Sequence, residues 1–220
     1  MINRIIKHIM YWITAMLMLV CPALATDPAN APRTAAQKDI PAVEQLLKTK
    51  TEAVLVILKN KEMEEPVKKK QIMEIIEPIV DFRLMSKLTL GKASWGKLSP
   101  EQQTEFVGLF VERLKRSYLD KTTVYNGEKV AYRPGVQKGN KVNVPVDIIT
   151  NDKPIELMYK FYQSDQGWKA YDLEINGVSL IKSYQAQFTE ILKTGTPADL
   201  LAELKKPVTE TSVPGIRPAK

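Results

Sequence analysis

The sequence predicts an α+β fold, with about six to seven helices packed on one face of a four-stranded antiparallel meander. Three observations predict it. Apolar residues recur every three or four positions up to about residue 120, which is typical of amphipathic helices. They alternate with polar residues between residues 129 and 175, which is typical of strands with one buried face. The helical period returns after Asn176-Gly177.

The first 25 residues have the composition of a secretory signal peptide. Arg4 and Lys7 precede an apolar run over residues 9–20, and Ala23-Leu24-Ala25 supplies small residues at the two positions that a signal peptidase reads. This run is shorter than the about 20 apolar residues that a membrane-spanning helix needs. We therefore expect export with cleavage after Ala25, and an uncleaved anchor is the alternative.

Export would leave a mature chain with little catalytic chemistry. The only cysteine, Cys21, and the only histidine, His8, lie in the predicted signal peptide. Disulfides, thiol nucleophiles, Ser-His-Asp triads and histidine metal sites are then excluded. Carboxylate chemistry needs two acidic groups that converge in a cleft. The candidates Asp81, Asp172 and Glu174 are each more typical of a helix cap or a strand-edge charge, so we expect no enzyme, no metal and no cofactor.

The charge distribution favours an anionic partner other than nucleic acid. The formal net charge of +7 would fall by two with the loss of Arg4 and Lys7. A basic exported protein favours anionic surfaces such as lipid headgroups. The lysines are dispersed and do not form the aromatic-lined basic stripe of nucleic-acid grooves. We expect no nucleic-acid partner.

Two helices are predicted at the start of the domain. The first covers residues 39–59, with Asp39 as its N-cap, and follows a flexible lead-in at residues 26–38 that is rich in Ala, Pro and Thr. The second covers residues 66–77. Pro78 then forces a kink or a break, because proline cannot donate the backbone hydrogen bond that a helix requires.

Two further helices precede the sheet. Asp81 is placed to cap the third helix, which is predicted to end at Leu90-Gly91, with Trp95 in the turn that follows. Ser99-Pro100-Glu101-Gln102 has the pattern of a capping box and begins the fourth helix. That helix should continue to about residue 120 and form a main wall of the core.

Four strands are predicted, at residues 129–133, 141–150, 155–163 and 168–175. Turn clusters at residues 151–154 and 164–167 make consecutive strands antiparallel partners. Pro145 indicates an edge or a bulge in the second strand, because it cannot donate to a ladder. Strict alternation in the last strand would place Tyr171, Leu173 and Ile175 on one face, and Ala170 and Asp172 on the other.

A short corner connects the last strand to the next helix. Gly177 is predicted to form this corner with φ > 0, and Ser179 to act as N-cap. Two helices are predicted after it, at residues 178–193 and 198–205. The proline-containing residues 207–220 are predicted to be a disordered tail. Residues 39–206 would thus form a single domain.

Short motifs follow one another in order between residues 40 and 206. They are Asp81-Phe82 with Met85, Leu90-Gly91, Trp95, Pro100-Glu101-Gln102-Gln103 with Phe106 and Phe110, Ser117-Tyr118, Gly167-Trp168, Tyr171-Asp172 and Gly177-Val178-Ser179-Leu180. As an ordered set they resemble the MlaC family, also called the toluene-tolerance auxiliary family. Gln185 departs from the family, in which many members carry arginine in an RxxF-like pattern ending at Phe188.

The resemblance implies a monomeric periplasmic phospholipid carrier. It implies that helices and one antiparallel sheet enclose the acyl chains in an apolar cavity. Such carriers move lipid between an outer-membrane lipoprotein complex and an inner-membrane ABC transporter that contains an MCE-domain protein, and thereby serve outer-membrane lipid asymmetry. The bound phospholipid is a cargo and not a cofactor.

For such a carrier, long apolar residues on the sheet and the facing helices are the expected contacts of the acyl chains. They are Phe82, Met85, Phe106, Phe110, Leu114, Tyr118, Val144, Val146, Ile148, Leu157, Tyr159, Phe161, Leu180, Tyr184 and Phe188. The headgroup is expected near Arg83, Lys87 or Lys182, at the mouth of the cavity. From periodicity alone, however, the same residues also predict an ordinary packed core.

Three other functions are compatible with the sequence. The first is an adaptor subunit of an ABC transporter that has the same fold but no lipid cargo. The second is a carrier of hopanoid or another apolar lipid. The third is a hydrolase that uses carboxylates, which would require an acidic pair in a cleft.

Overall fold

The computed structural model describes residues 38–119, 127–150 and 153–208. These ranges contain six α-helices and a six-stranded sheet. None of the helices within them is long and apolar enough to cross a membrane. The predicted signal peptide, residues 26–37 of the lead-in and residues 209–220 of the tail lie outside the described residues.

The first two helices form a pair. Helix α1 covers Ile40–Lys59 and helix α2 covers Glu65–Ile76. Asp39 is the N-cap of α1, but its side chain makes no capping hydrogen bond. Instead, Gln137 Nε2 donates to Asp39 Oδ2 at 2.8 Å, and the Asp39 N–H donates to Gln137 Oε1 at 3.1 Å. The residue that begins α1 is therefore hydrogen-bonded to a part of the chain 98 residues away.

A 3-10 turn at Glu77–Ile79 contains Pro78 and separates α2 from helix α3, which covers Phe82–Trp95. The cap predicted at Asp81 is present, because its Oδ1 accepts from the Leu84 N–H at 2.8 Å. The predicted end at Leu90-Gly91 is confirmed for the first helical segment, but Trp95, which was predicted to lie in a turn, belongs to a second segment. Gly91 kinks the helix with φ 70°, which glycine adopts at little cost, and the helix resumes as far as Trp95.

Helix α4 covers Pro100–Leu114 and begins with the predicted capping box. Ser99 Oγ accepts from the Gln102 N–H at 3.2 Å, and Gln102 Oε1 accepts from the Ser99 N–H at 3.0 Å. After Leu114 the chain changes to a π-helical turn over Lys115–Leu119. The wider π geometry is frequent near functional sites in proteins.

The sheet has six strands, two more than predicted. They are β1 Lys129–Tyr132, β2 Val136–Lys138, β3 Lys141–Ile149, β4 Ile155–Ser164, β5 Gly167–Ile175 and β6 Val178–Ser179. The order is β1-β3-β4-β5-β6, and β2 also pairs with β3. The prediction of a four-stranded meander is therefore incomplete. Strands β2 and β6 have three and two residues, which is too short to produce a visible alternation.

The register places the apolar residues of β3 and β4 on a common face. Val144 pairs with Tyr159 and Val146 with Leu157, and residues directly opposite each other share a face. Pro145 lies where the neighbouring strand is interrupted between β1 and β2. This interruption is the edge-like environment that a proline in a strand favours.

Strand β5 does not alternate strictly, because it contains a bulge. Lys160 pairs with Asp172 but Phe161 pairs with Ala170, so Tyr171 is one residue too many. Ala170 therefore shares a face with Leu173, which corrects the predicted alternation. The sequence gives no signal for this bulge, since both registers bury apolar residues.

The corner at Gly177 has the expected backbone. Asn176 and Gly177 have φ values of 50° and 78°. Helix α5 covers Leu180–Thr194, and its N-cap Ser179 accepts from the Lys182 N–H at 3.2 Å. Helix α6 follows at Pro197–Lys205.

The buried apolar residues of the described chain fall into two separate clusters. The larger one, the main core, joins the first half of α1, helices α3 to α6 and the sheet. The smaller one, the second cluster, consists of Ile57, Ile72 and Leu119 with partly buried neighbours on α1 and α2. Close-packed interiors normally form one contiguous core per domain, so the space between these clusters is the place to look for a site.

Candidate functional site

A cavity of ≈ 380 Å³ lies between the main core and the second cluster. Its walls are α1, α2, the 3-10 turn, the first half of α3, the end of α4 with the π-helical turn, and the sheet. Leu47 and Met85 contribute from the main core, and Ile72 and Leu119 from the second cluster. The cavity thus occupies the gap that keeps the two clusters apart.

The size and lining of the cavity are those of a ligand site. Ligand pockets typically have about 300–1,000 Å³ and mostly apolar walls with a few polar groups. An engineered apolar cavity of about 150 Å³ already binds benzene. The polar side chains among the lining residues are Lys50, Thr51, Lys115, Tyr118, Tyr159 and Asp172. The cavity is also partly open to solvent, so the prediction of an enclosed cavity with a mouth is not confirmed in its first part.

Eight of the fifteen residues predicted to contact acyl chains line this cavity. They are Phe82, Met85, Leu114, Tyr118, Ile148, Tyr159, Phe161 and Leu180. The other seven are buried elsewhere in the main core. They are Phe106, Phe110, Val144, Val146, Leu157, Tyr184 and Phe188.

Four of these seven form an aromatic cluster behind the cavity. The ring of Phe110 lies 6.0 Å from Phe106, 5.1 Å from Tyr184 and 6.0 Å from Phe188. Phe106 and Phe188 are 5.6 Å apart and edge-to-face. Rings at these separations attract one another beyond the area that they bury. They fill their own space and leave none for a ligand.

The largest omission of the sequence prediction is the wall made by α1 and α2. These two helices and the following 3-10 turn contribute apolar lining residues that were not predicted to contact acyl chains. They are Leu47, Val54, Leu55, Leu58, Ile72, Met73, Ile76 and Ile79. Several of them form the predicted helical stripes, so the signal was present, but periodicity does not tell a packed face from one that borders a cavity.

Asp172 is the one carboxylate among the described residues that line the cavity, and it is held in structural hydrogen bonds. Its Oδ2 accepts from Ser179 Oγ at 2.8 Å and from Lys160 Nζ at 3.0 Å, and its Oδ1 accepts from the Ile181 N–H at 3.2 Å. Lys160 also pairs with Glu174. Burial opposes the charge of Lys160, but these hydrogen bonds outweigh it and raise the pKa of its ammonium group. Asp172 and Glu174 thus share a lysine at the junction of the sheet with α5.

Asp81, the third acidic candidate, lies outside the apolar cavity. Besides capping α3, it accepts a hydrogen bond from the Tyr162 hydroxyl, which raises the pKa of Tyr162 to about 12. Both residues line a separate polar pocket of ≈ 490 Å³, together with Arg83 and Lys169. Asp81 and Asp172 therefore line different pockets, and Asp172 and Glu174 are held together by Lys160.

Three buried or partly buried tyrosines lie at or near the cavity: Tyr118 on the π-helical turn, Tyr184 on α5 and Tyr159 on β4. The Tyr184 hydroxyl lies 3.3 Å from Ser117 Oγ and is also hydrogen-bonded to Tyr118. Burial raises the pKa of both Tyr118 and Tyr184. Burial likewise raises the pKa of Tyr159 to about 12. These hydroxyls stay protonated at neutral pH, so they bring no charge to the cavity wall.

The cations predicted to lie near a headgroup do not line the apolar cavity. Arg83 lies over the ring of Trp95, 5.7 Å from its centroid, and Lys87 and Lys182 are exposed on α3 and α5. Lys50 on α1 and Lys115 on the π-helical turn line it instead.

Comparisons with known proteins identify relatives of this chain. The family model described as "MlaC protein" matches residues 48–206. A solved structure of a phospholipid-binding protein from Ralstonia solanacearum, in complex with a phospholipid, is similar with a TM-score of 0.67 and 29% sequence identity. The similarity covers 73% of this chain and 93% of the Ralstonia chain.

Proposed function

The chain belongs to the MlaC family, and on that premise we propose that it is a periplasmic carrier that holds the acyl chains of a phospholipid in the cavity between α1, α2 and the sheet. The observation that carries the proposal is an apolar cavity of ≈ 380 Å³ between two clusters of buried apolar residues. The phospholipid complex of the Ralstonia protein supports the same ligand class.

Elementary energetics explains why such a carrier needs a cavity. Two acyl chains of about 16 carbons represent on the order of 25 kcal/mol of gross hydrophobic free energy, at about 0.8 kcal/mol per buried methylene. A free phospholipid therefore does not cross an aqueous compartment at a useful rate. The carrier must shield the chains from water, and it needs no reacting group to do so.

The proposed cycle has two membrane partners. The carrier exchanges phospholipid with an outer-membrane lipoprotein complex and with an inner-membrane MCE-domain/ABC transporter, and this exchange maintains outer-membrane lipid asymmetry. Spontaneous release from an apolar cavity is slow, so each partner must stabilise a form of the carrier that binds the lipid less tightly.

Lipid analysis of the purified protein tests the proposal directly. Native mass spectrometry of protein isolated from bacterial periplasm should show a mass increment, and solvent extraction should release a phospholipid of that mass. A spectrum at the apoprotein mass under gentle conditions, with no uptake from vesicles afterwards, would contradict the proposal. A released hopanoid would identify the alternative cargo.

A pair of variants on α1 separates the carrier from an adaptor that has no cargo. Val54 lines the cavity, whereas Val56 is 69% exposed on the same helix. Val54→Trp should fill part of the cavity and lower phospholipid occupancy several-fold, and Val56→Trp should leave occupancy unchanged. An adaptor would show equal interaction with its transporter in both variants and no lipid in either.

A further inference from the structure

Lys50 is a cation placed on the apolar wall of the cavity. It lies one turn after Leu47 and one turn before Val54, and all three residues line the cavity. Lys50 is half-buried, whereas its neighbour Lys48 is exposed. A lysine in such a position buries its aliphatic stem along the apolar wall and keeps its ammonium group near water. Lys50 therefore marks a place where the cavity meets solvent.

The ammonium group of Lys50 has no hydrogen bond or ion pair within residues 38–119, 127–150 and 153–208. The local sequence accounts for this. On a helix, partners stand three or four positions away, and those positions hold Leu46, Leu47, Ala53 and Val54. Glu52 is two positions away and exposed, on another side of α1.

Lys115 provides the contrast, because it lines the same cavity with its charge already paired. Its Nζ lies 2.9 Å from Glu112 Oε1, three positions earlier on the helix. Thr51, beside Lys50, also has a partner, since its side chain is hydrogen-bonded to the Tyr132 hydroxyl. Among the polar groups of this wall, Lys50 is thus the cation that is available to an anionic ligand.

We infer that Lys50 binds the phosphate of the cargo lipid and makes the cavity selective for phosphate-bearing lipids over uncharged lipids with the same chains. The inference rests on the proposed function. A lipid with its chains in the cavity places its headgroup where the cavity meets water, and Lys50 lies there. Lysine binds phosphate as a point charge, and a charge-assisted hydrogen bond is about twice as strong as a neutral one.

Competitive loading tests this inference. The delipidated protein is incubated with vesicles that contain phosphatidylglycerol and diacylglycerol with identical acyl chains, and the ratio of the two bound lipids is read by native mass spectrometry. Lys50→Gln should lower the ratio of phosphatidylglycerol to diacylglycerol about tenfold, as expected for one lost charge-assisted hydrogen bond. Lys50→Arg should retain the wild-type ratio.

Lys48→Gln is the matched control, because it removes the same charge from an exposed position on the same helix. It should leave the lipid ratio unchanged, and thermal unfolding should show that all variants are folded. An unchanged ratio in Lys50→Gln, with lipid still bound, would overturn the inference and leave the proposed function standing. Failure of the wild-type protein to take up either lipid would overturn both.

A second arm separates a lipid headgroup from free phosphate. Inorganic phosphate alone is added to the delipidated protein, and phosphate adducts are measured by native mass spectrometry. An adduct that is lost in Lys50→Gln, together with an unchanged lipid ratio, would assign Lys50 to free phosphate and overturn the inference. The absence of such an adduct, together with a lowered lipid ratio, supports the headgroup contact.

Discussion

The aromatic cluster and the cavity wall formed by α1 and α2 both consist mainly of apolar side chains. The side chains of the cluster are buried against one another, whereas most of those on the wall are only partly buried. Phe106 and Phe110 are 0% exposed and their rings are stacked at 6.0 Å. Leu55 and Met73, on the cavity wall, are only partly buried although both are large and apolar. The difference teaches that the rings of the aromatic cluster fill their part of the core, whereas the apolar side chains that α1 and α2 give to the cavity wall are aliphatic.

The partners of each side chain explain the difference. A ring in the aromatic cluster meets other rings on several sides, whereas the second half of α1 packs with α2 in the small second cluster. Leu, Ile and Met side chains adapt to a ligand of variable shape more easily than rings do, because they have more accessible rotamers. The cavity wall is therefore the adaptable side of the site.

The largest expected effect is in the aromatic cluster. Phe110→Ala should lower the free energy of unfolding by about 4 kcal/mol, because it opens a cavity in a packed core. Met73→Ala, on a wall that already borders a cavity, should cost about 1 kcal/mol by the same reasoning. Urea denaturation of both variants measures the difference. Equal losses would show that the two regions are packed alike.

The next largest effect is expected at the junction of the sheet with α5, where Asp172 lies on the cavity wall. Asp172→Asn should cost about 2 kcal/mol, because the charged partner of Lys160 and the strong acceptor of Ser179 are both weakened. Glu174→Gln, at a more exposed partner of the same lysine, should cost less. A hydrolase that uses Asp172 would also lose its activity in Asp172→Asn, so any activity that survives this substitution counts against the hydrolase.

The stability of the protein at high pH should depend on Tyr159, which lines the cavity. The pKa of Tyr159 is raised by burial from 10.0 to about 12 in the folded protein and returns to its ordinary value on unfolding. The corresponding stabilisation is complete below pH 10 and is lost as pH rises toward 12. Denaturation midpoints between these values should fall less steeply in Tyr159→Phe. An identical slope in both proteins would show that Tyr159 is solvated.

The smallest effect concerns the corner that connects β5 to α5. Gly177→Ala should cost about 1 kcal/mol because φ is 78° there, while the added methyl group meets no atom within 4 Å. Gly108→Ala is the control, since Gly108 lies inside α4 with equally open space. It should stabilise the protein by about 0.5–1 kcal/mol. Thermal denaturation measures both shifts.

Much of the fold could be predicted from the sequence because it depends on local signals. The caps at Asp81 and Ser99 are short-range hydrogen bonds, and β3 to β5 have clear period-two patterns. The interruption of α3 at Gly91 was also predicted, from the glycine, whereas the π-helical turn after Leu114 and the bulge at Tyr171 could not be predicted. Neither the turn nor the bulge changes the local spacing of apolar residues enough to be visible in the sequence.

The candidate site was predicted less completely than the fold. An apolar residue at helical spacing can contact protein or border a cavity, and only the placement of its neighbours decides which. Leu114 and Phe110 lie four positions apart on α4, yet Leu114 lines the cavity and Phe110 does not. In the sequence, nothing distinguishes Lys50 from the other dispersed lysines. Only its position on the cavity wall does so.

The bulge in β5 also sets how the chain tolerates changes in length. Tyr171 is the one unpaired residue between the registers of Ala170 and Asp172. Deleting it would restore strict alternation and would leave Ala170 and Leu173 on their common face, because the two residues would then be two positions apart. A length change within the turn at Ser164–Gly167 leaves these faces as they are. Deletions at the two places, six residues apart, should therefore both keep the cavity wall in place: one makes β5 regular, and the other shortens a loop.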